Sequence, residues 1–431
     1  MAVINAFAPD AVDLAEPLTL DAAHALTCRA ALAESEVGTA GLEIEAHLVD
    51  LNAVPEAPAW RRVEQVRDIA SAVVRRSAVT LEPGCQLELS GLPEPDIVTA
   101  VAALRHDWQG VRLALAEHGL GAAFAGADPL RPSRRINPRP RYRAMEQHFA
   151  STGRGEAGAV MMNSTAALQV NLQAGPKSAW RARVQRAHRL GPTLVAIAAC
   201  SPWLHGRATG WQSVRQATWA RLDQRACGPV PGCDPAPEAA MASPDPATAW
   251  ARFAMSAPVI IVRGDGDETK PVLASVSFGE WASGQVRLCG RQPTAADLDT
   301  HLTTLFPPVR LRGFLELRYL DVTAPRWWPA IAAVTATLMD DEVAADLAMD
   351  ASECAARRWA EAAQNGLHDD LLAESARRCL AIAASRVSAD LSAAVADLAE
   401  LVESRRSPGD VLASRIVAAG PLAALEELAH A

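Results

Sequence analysis

In the stretch GLEIEAHLVD, residues 41–50, ionisable side chains stand at every second position: Glu43, Glu45 and His47, with Leu42, Ile44, Ala46 and Leu48 between them. As a strand, this segment sends the three ionisable groups to one face and the apolar ones to the other. The same alternation returns three times. QLELS sets Gln86, Glu88 and Ser90 against Leu87 and Leu89; ALQVNLQ sets Gln169, Asn171 and Gln173 against Leu168, Val170 and Leu172; FLELRYLD sets Glu316 and Arg318 against Leu315, Leu317 and Tyr319. One wet sheet face would produce such a pattern. A solvent face, however, usually mixes residue types so that charges balance. Here Glu43, Glu45, Glu88 and, just before a Pro-Gly turn, Glu82 are met by a single strand arginine. If the four strands share a sheet, their carboxylates repel unless something positive lies between them or some are protonated. Magnesium suits that place, because it takes hard oxygen ligands and often bridges carboxylates to a substrate phosphate. Zinc suits it less: His47 is the one obvious nitrogen ligand and no cysteine falls on these faces. His47 itself is expected to face outward or to be hydrogen-bonded rather than to bind metal.

The segments between the strands carry the complementary charge. Lys177 and Lys270 are the only lysines, and no G-x-x-x-x-G-K-[ST] loop is present, so any phosphate chemistry rests on arginine and metal. DPLRPSRRINPRPRYRAMEQHF holds Arg131, Arg134, Arg135, Arg139, Arg141 and Arg143, and WQSVRQATWARLDQRACG holds Arg215, Arg221 and Arg225 near Asp223. Guanidinium groups take carboxylates and phosphates through fixed forks. Acids for a cation and arginines for anions are what phosphoryl transfer needs, since catalysis there is largely positioning and charge stabilisation.

Over 431 residues the net charge is -9 and the pI about 5.6, which argues against a nucleic-acid surface. The N-terminus shows no basic segment followed by an apolar run, and no stretch approaches the roughly 20 apolar residues of a membrane span. A cytoplasmic protein without membrane contact is expected, its eight scattered cysteines reduced. Strand-like and helical runs alternate from Gly41 to Asp321, with helices expected over Asp21–Ser35, Val63–Arg76, Pro95–His118 and Ala179–Cys200, and further strands at FAGADP and APVIIVR. Pro229–Ala247 reads as a surface loop. From Arg326 onward the spacing is helical throughout, which suggests a catalytic core over 1–325 and a helical region over 326–431 packed on it.

The blocks GLEIEAH, LEPGCQLELSG, DPLRPSRRINPRPRYRAMEQHF, MMNSTAALQVNLQAG, SPWLHGRATGWQSVRQATW and HLTTLFPPVRLRGFLELRYLD, in this order, resemble the glutamate–cysteine ligase family. Plant-type ligases share the central blocks from about Gly41 to Asp321. The actinobacterial ligases of ergothioneine biosynthesis are similar along most of the chain, the helical C-terminus included. The resemblance implies an α+β, glutamine-synthetase-like fold: a curved antiparallel sheet whose concave polar face is the active site, with helices outside and a helical C-terminal region. It also implies ATP- and magnesium-dependent joining of the glutamate γ-carboxylate to cysteine through γ-glutamyl phosphate, with these small molecules as the partners and the oligomeric state left open.

By position, Glu43, Glu45, Glu82, Glu88 and Glu316 match the family's magnesium-binding acids, Glu45 being catalytic as well. Gln169 and Asn171 lie where the family strand faces the metals and nucleotide. Arg318 matches an arginine on the transferred phosphoryl group, Arg215 one that binds the glutamate α-carboxylate, and Arg141 and Tyr142 an arginine–tyrosine pair at the substrates. Trp219 and Gly228 match as well. In RLDQRACG, Asp223 matches, but Arg225 is displaced by one position and Cys227 replaces a threonine, so Arg225 is assigned no role. Two other readings fit the same strands: a ligase of this fold with a different amine acceptor, and a metal-dependent hydrolase that would leave the arginines unexplained.

Overall fold

The alternating segments do form one sheet. The computed structural model describes residues 16–233, 245–264, 266 and 268–430, and its strands in chain order are β1 (Ala40–Asp50), β2 (Ser77–Leu81), β3 (Gln86–Gly91), β4 (Leu120–Ala123), β5 (Ala167–Gln173), β6 (Trp203–Leu204), β7 (Arg207–Ala208), β8 (Ile261–Arg263), β9 (Thr269–Pro271), β10 (Val309–Leu311) and β11 (Phe314–Asp321). Seven of them make a curved, open sheet in the order β10-β11-β5-β1-β3-β2, with β4 paired to the last four residues of β1; every pairing is antiparallel.

Register decides which side chains share a face. Across β1 and β3, Glu43 pairs with Ser90, Glu45 with Glu88 and His47 with Gln86. Glu43 also faces Gln169 on β5, while Asn171 pairs with Glu316 on β11 and Glu316 with Arg310 on β10. Thr80 on β2 completes the row through Glu88. The polar positions of six strands therefore fall on one face. The opposite face carries Leu42, Ile44, Leu87, Leu89, Leu168, Val170, Leu315 and Leu317, each 1% exposed or less. Burying each such side chain contributes about 1.5–3 kcal/mol, so a one-residue slip would be heavily penalised.

Helices cover that apolar face. The four expected ones begin and end within about a turn of their expected limits, as Leu20–Ala31, Trp60–Val73, Ile97–Glu117 and Trp180–Ala198. The third starts at Asp96, whose carboxylate accepts from the Thr99 N–H and so satisfies one of the unpaired donors of a first turn. Beyond Arg326 the chain is helical, as expected. Trp328–Asp340 is buried along nearly its whole length against Trp180–Ala198 and β5, and the main apolar cluster takes in residues from Leu18 to Val402. The last helix, Pro408–His430, kinks at Gly420 (φ 85°) and brings Ala429 onto β4, where a Cβ on Gly121 would lie 2.2 Å from the Ala429 carbonyl oxygen.

Two expected strands are placed differently. APVIIVR does not join the main sheet: Ile261–Arg263 pairs only with Thr269–Pro271, because the chain turns straight back on itself. Near FAGADP the strand lies one step earlier, at Leu120–Ala123; beyond it the Asp128 carboxylate accepts from the Leu130 and Arg131 N–H groups and bends the chain into a turn. The middle of the expected loop, residues 234–244, falls outside the described residues. The eight cysteines are free. Among the described residues no helix is long and apolar enough to cross a membrane.

Candidate active site

The polar face of the sheet is one wall of a cavity of about 320 Å³. β1, β3 and the β2–β3 turn supply Glu43, Glu45, Glu88 and Glu82; β5 supplies Gln169; β10 and β11 supply Arg310 and Arg318. The facing wall comes from Arg141, Tyr142 and Met145 on the helix Pro140–Ser151, from Met161 and Met162, and from Arg215 and Trp219 on the short helix Val214–Ala220. Phe306 stacks at a tilt on Trp219, ring centroids 5.4 Å apart, and the Arg318 guanidinium lies 5.8 Å from the Phe306 ring.

The acids fall into two electrostatic groups. Glu316 is taken up by arginines. Arg310 donates to both its oxygens (Nη2–Oε1 2.8 Å), Arg318 Nη1 stands 3.2 Å from Oε2, and Arg312 lies 3.7 Å away. Burial opposes its charge, but the Arg310 and Arg318 guanidiniums prevail and hold its carboxyl down to about 2. The other acids carry a surplus of negative charge. Burial, then the charges of Glu88 and Glu316, push Glu43 up to about 8; burial and neighbouring carboxylates push Glu82 and Glu88 up to about 7. Burial also raises Glu45, against the pull of Arg215 and Arg318.

Neutral groups order this set. The Ala167 N–H donates to Glu45 Oε2 (2.8 Å), and Asn171 Nδ2 donates to Glu43 Oε1 (2.9 Å). Thr80 donates to Glu88. Gln169 bridges the two signs, its Nε2 3.4 Å from Glu45 Oε1 and its Oε1 accepting from Arg318 Nη1 at 2.6 Å. Asn171 Oδ1 is buried without a hydrogen-bond partner.

Of the expected site residues, the cavity gathers Glu43, Glu45, Glu82, Glu88, Gln169, Arg141, Tyr142, Arg215 and Arg318. Asn171 and Glu316 sit on the same sheet face, at the side of the cavity lining. Among the described residues no group of three or more His, Cys, Asp and Glu side chains is arranged to hold a metal ion. The donor set nevertheless suits a hard cation, being carboxylate oxygens with surplus charge beside an unpartnered amide oxygen. His47 is hydrogen-bonded through Nε2 to the Ala125 carbonyl (3.1 Å), and burial holds it down to about 4, as a neutral imidazole.

The arginine-rich loop disperses. Arg141 alone lines the cavity, donating through Nη2 to the Thr303 hydroxyl and carbonyl (2.9 and 3.2 Å), while Arg131 pairs with Asp128 and Arg135 with Glu146. Arg225 pairs with Asp223 and Arg221 with Glu156, away from the cavity. Sequence reasoning passed over Arg310 and Arg312. Their signal was present in VRLRG, where arginines alternate with Val309 and Leu311 before a turn at Gly313 (φ 80°).

The sequence profile of glutamate-cysteine ligase family 2 matches residues 39–427. The chain is 46% identical over 398 residues to a protein named glutamate–cysteine ligase EgtA from Mycolicibacterium smegmatis, covering 92% of each chain. It is 45% identical over 425 residues to the EgtA of Mycobacterium tuberculosis, covering 98% of this chain and 96% of that one. The chloroplastic glutamate–cysteine ligase of Nicotiana tabacum is 27% identical over 312 residues, 70% of this chain and 56% of the tobacco protein. Among solved structures, a Francisella tularensis glutamate–cysteine ligase in complex with AMP shares the fold: TM-score 0.55 at 13% identity, over 92% of this chain and 88% of that one.

Proposed function

The chain belongs to the glutamate–cysteine ligase family, and from that premise we infer that it joins the γ-carboxylate of glutamate to the amine of cysteine at the expense of ATP, giving γ-glutamylcysteine. The observation that carries this reading is the two-signed sheet face: surplus carboxylates on β1, β3 and the β2–β3 turn beside Arg310 and Arg318 on β10 and β11, within one cavity. A hydrolase would need the acids alone. The likeness to the EgtA ligases supports a place in ergothioneine biosynthesis, and we propose a cytoplasmic enzyme.

In the reaction, the glutamate γ-carboxylate attacks the γ-phosphorus of ATP and ADP leaves; the cysteine amine then attacks the acyl carbon, a proton leaves the nitrogen, and phosphate departs. We assign Arg318 to the transferred phosphoryl group, where a guanidinium fixed by Gln169 and Glu316 offsets developing charge without reorganising. Arg215 receives the glutamate α-carboxylate, and Arg141 and Tyr142 bound the substrates from the facing wall. Glu43, Glu45, Glu82 and Glu88 would hold magnesium, with Gln169 and Asn171 beside them; Glu316 contributes chiefly by ordering the arginines. Bound magnesium would supply charge neutralisation for the phosphates. The apolar wall of Met145, Met161, Met162, Trp219 and Phe306 limits water, which would otherwise hydrolyse the acyl phosphate.

The test is ADP release from the purified chain with ATP, magnesium and glutamate, with and without cysteine, and with the product identified by mass. Cysteine-dependent ADP with γ-glutamylcysteine formed is the expected result. ADP release with another amine alone would retain the acyl phosphate and discard the acceptor, and turnover of substrate without nucleotide would overturn the ligase reading.

A further inference from the structure

Asp321, the last residue of β11, is 2% exposed and lies where several chain segments meet. Its carboxylate accepts from the Cys200 N–H (3.0 Å), the Ser201 hydroxyl (2.6 Å) and the Ser213 hydroxyl (3.0 Å). A Cβ on Gly126 would sit 2.4 Å from its Cγ, so only a bare backbone fits beside it. The same two serines hold the main chain of Arg215. Ser201 Oγ accepts from the Arg215 N–H (3.3 Å), and Ser213 caps the helix that Arg215 enters, accepting from the Gln216 N–H. The Arg215 side chain then reaches back: Nη2 donates to the Arg318 carbonyl (2.7 Å), and Nη1 stands 3.7 Å from Asp321 Oδ1 without a hydrogen bond.

Arg215 thus lies under the influence of two carboxylates, the buried Asp321 and the half-buried Glu45. They differ in what they leave available. The Asp321 oxygens are already engaged by two hydroxyls and an amide, so it offers countercharge without drawing Nη1 into a close fork. Without that countercharge, Glu45 becomes the nearest attraction, and an arginine paired to Glu45 is lost to a substrate anion. We propose that Asp321 is a positioning residue that anchors the buried side of the Arg215 guanidinium, holds it off Glu45 and so leaves its cavity side free for the substrate carboxylate. This rests on the assignment of Arg215 to the glutamate α-carboxylate.

The experiment compares Asp321→Asn, Arg215→Ala and the double variant by steady-state kinetics in glutamate and in ATP. Asp321→Asn is expected to raise the KM for glutamate about tenfold, which is about 1.4 kcal/mol, with the KM for ATP unmoved and no further rise in the Arg215→Ala background. If Arg215→Ala raises the glutamate KM while Asp321→Asn lowers only kcat or thermal stability, Asp321 is structural and the inference fails alone. If Arg215→Ala leaves the glutamate KM unchanged, the assignment of Arg215 fails and takes the inference with it. Should Asp321→Asn not fold, Gly126→Ala displaces the same carboxylate without removing a bond to Arg215: a rise in glutamate KM absent from the Arg215→Ala background supports the role, and no rise overturns it.

Discussion

Glu45 and Glu316 have the same side chain on the same sheet face, and their surroundings make opposite demands. Burial raises the Glu45 carboxyl despite the pull of Arg215 and Arg318, so Glu45→Gln, which removes that charge, should leave the melting temperature unchanged or raised while turnover falls about a hundredfold or more. A melt and an ADP assay on one preparation check both halves. Glu316 is buried among arginines, and Arg310→Ala should cost up to about 5 kcal/mol in denaturant unfolding, because a buried charge loses its bidentate partner. An unchanged midpoint would mean that Arg318 alone neutralises Glu316. The acids could be read from alternation because period two is a local property of the chain. Their partners could not, since the pairing of Glu316 with Arg310 or of Gln169 with Arg318 depends on register between distant segments. Arg310 escaped for a related reason: β10 is only three residues long, too short for its alternation to stand out.

At the scale of elements, the β2–β3 turn positions the acid that no strand carries. Glu82, Pro83, Gly84 and Cys85 close the hairpin, with the Glu82 N–H donating to the Gln86 carbonyl. A Cβ on Gly84 would fall 2.1 Å from the Asn163 carbonyl oxygen, so Gly84→Ala must lift the whole turn. The expected outcome is a stability loss of about 1–3 kcal/mol with an activity loss of about a hundredfold, since a displacement near 1 Å suffices for that. Activity falling only in step with the folded fraction would show that Glu82 need not be held here. Four sheet strands were evident from the sequence because each buries a leucine-rich face. β2 was not, since SAVTL is half-exposed and lacks that contrast. APVIIVR misled for the converse reason: a run of apolar residues gives burial but no period, and burial here is met by a small ribbon.

For the whole molecule, the raised carboxyls tie stability to pH. Glu43, Glu82 and Glu88 keep protons up to about 7 or 8 in the folded state, whereas the unfolded chain releases them near 4.5. Across that window the folded state binds more protons, so its stability falls as pH rises, and magnesium should recover more of it at pH 8 than at pH 5. Melting curves with and without magnesium at both pH values test this, and a shift of equal size at both would contradict it. The order of strands in the sheet also bears on how the chain is made. β1 to β5 all precede residue 174, and they already hold Glu43, Glu45, Glu82 and Glu88, while Arg310 and Arg318 arrive on the β10–β11 hairpin at the outer edge of β5. A growing chain on the ribosome therefore presents its carboxylates long before the guanidiniums that answer them are synthesised. The last hairpin to dock turns an acidic surface into a site that can work on ATP, so a chain interrupted before that point would be spared idle nucleotide consumption.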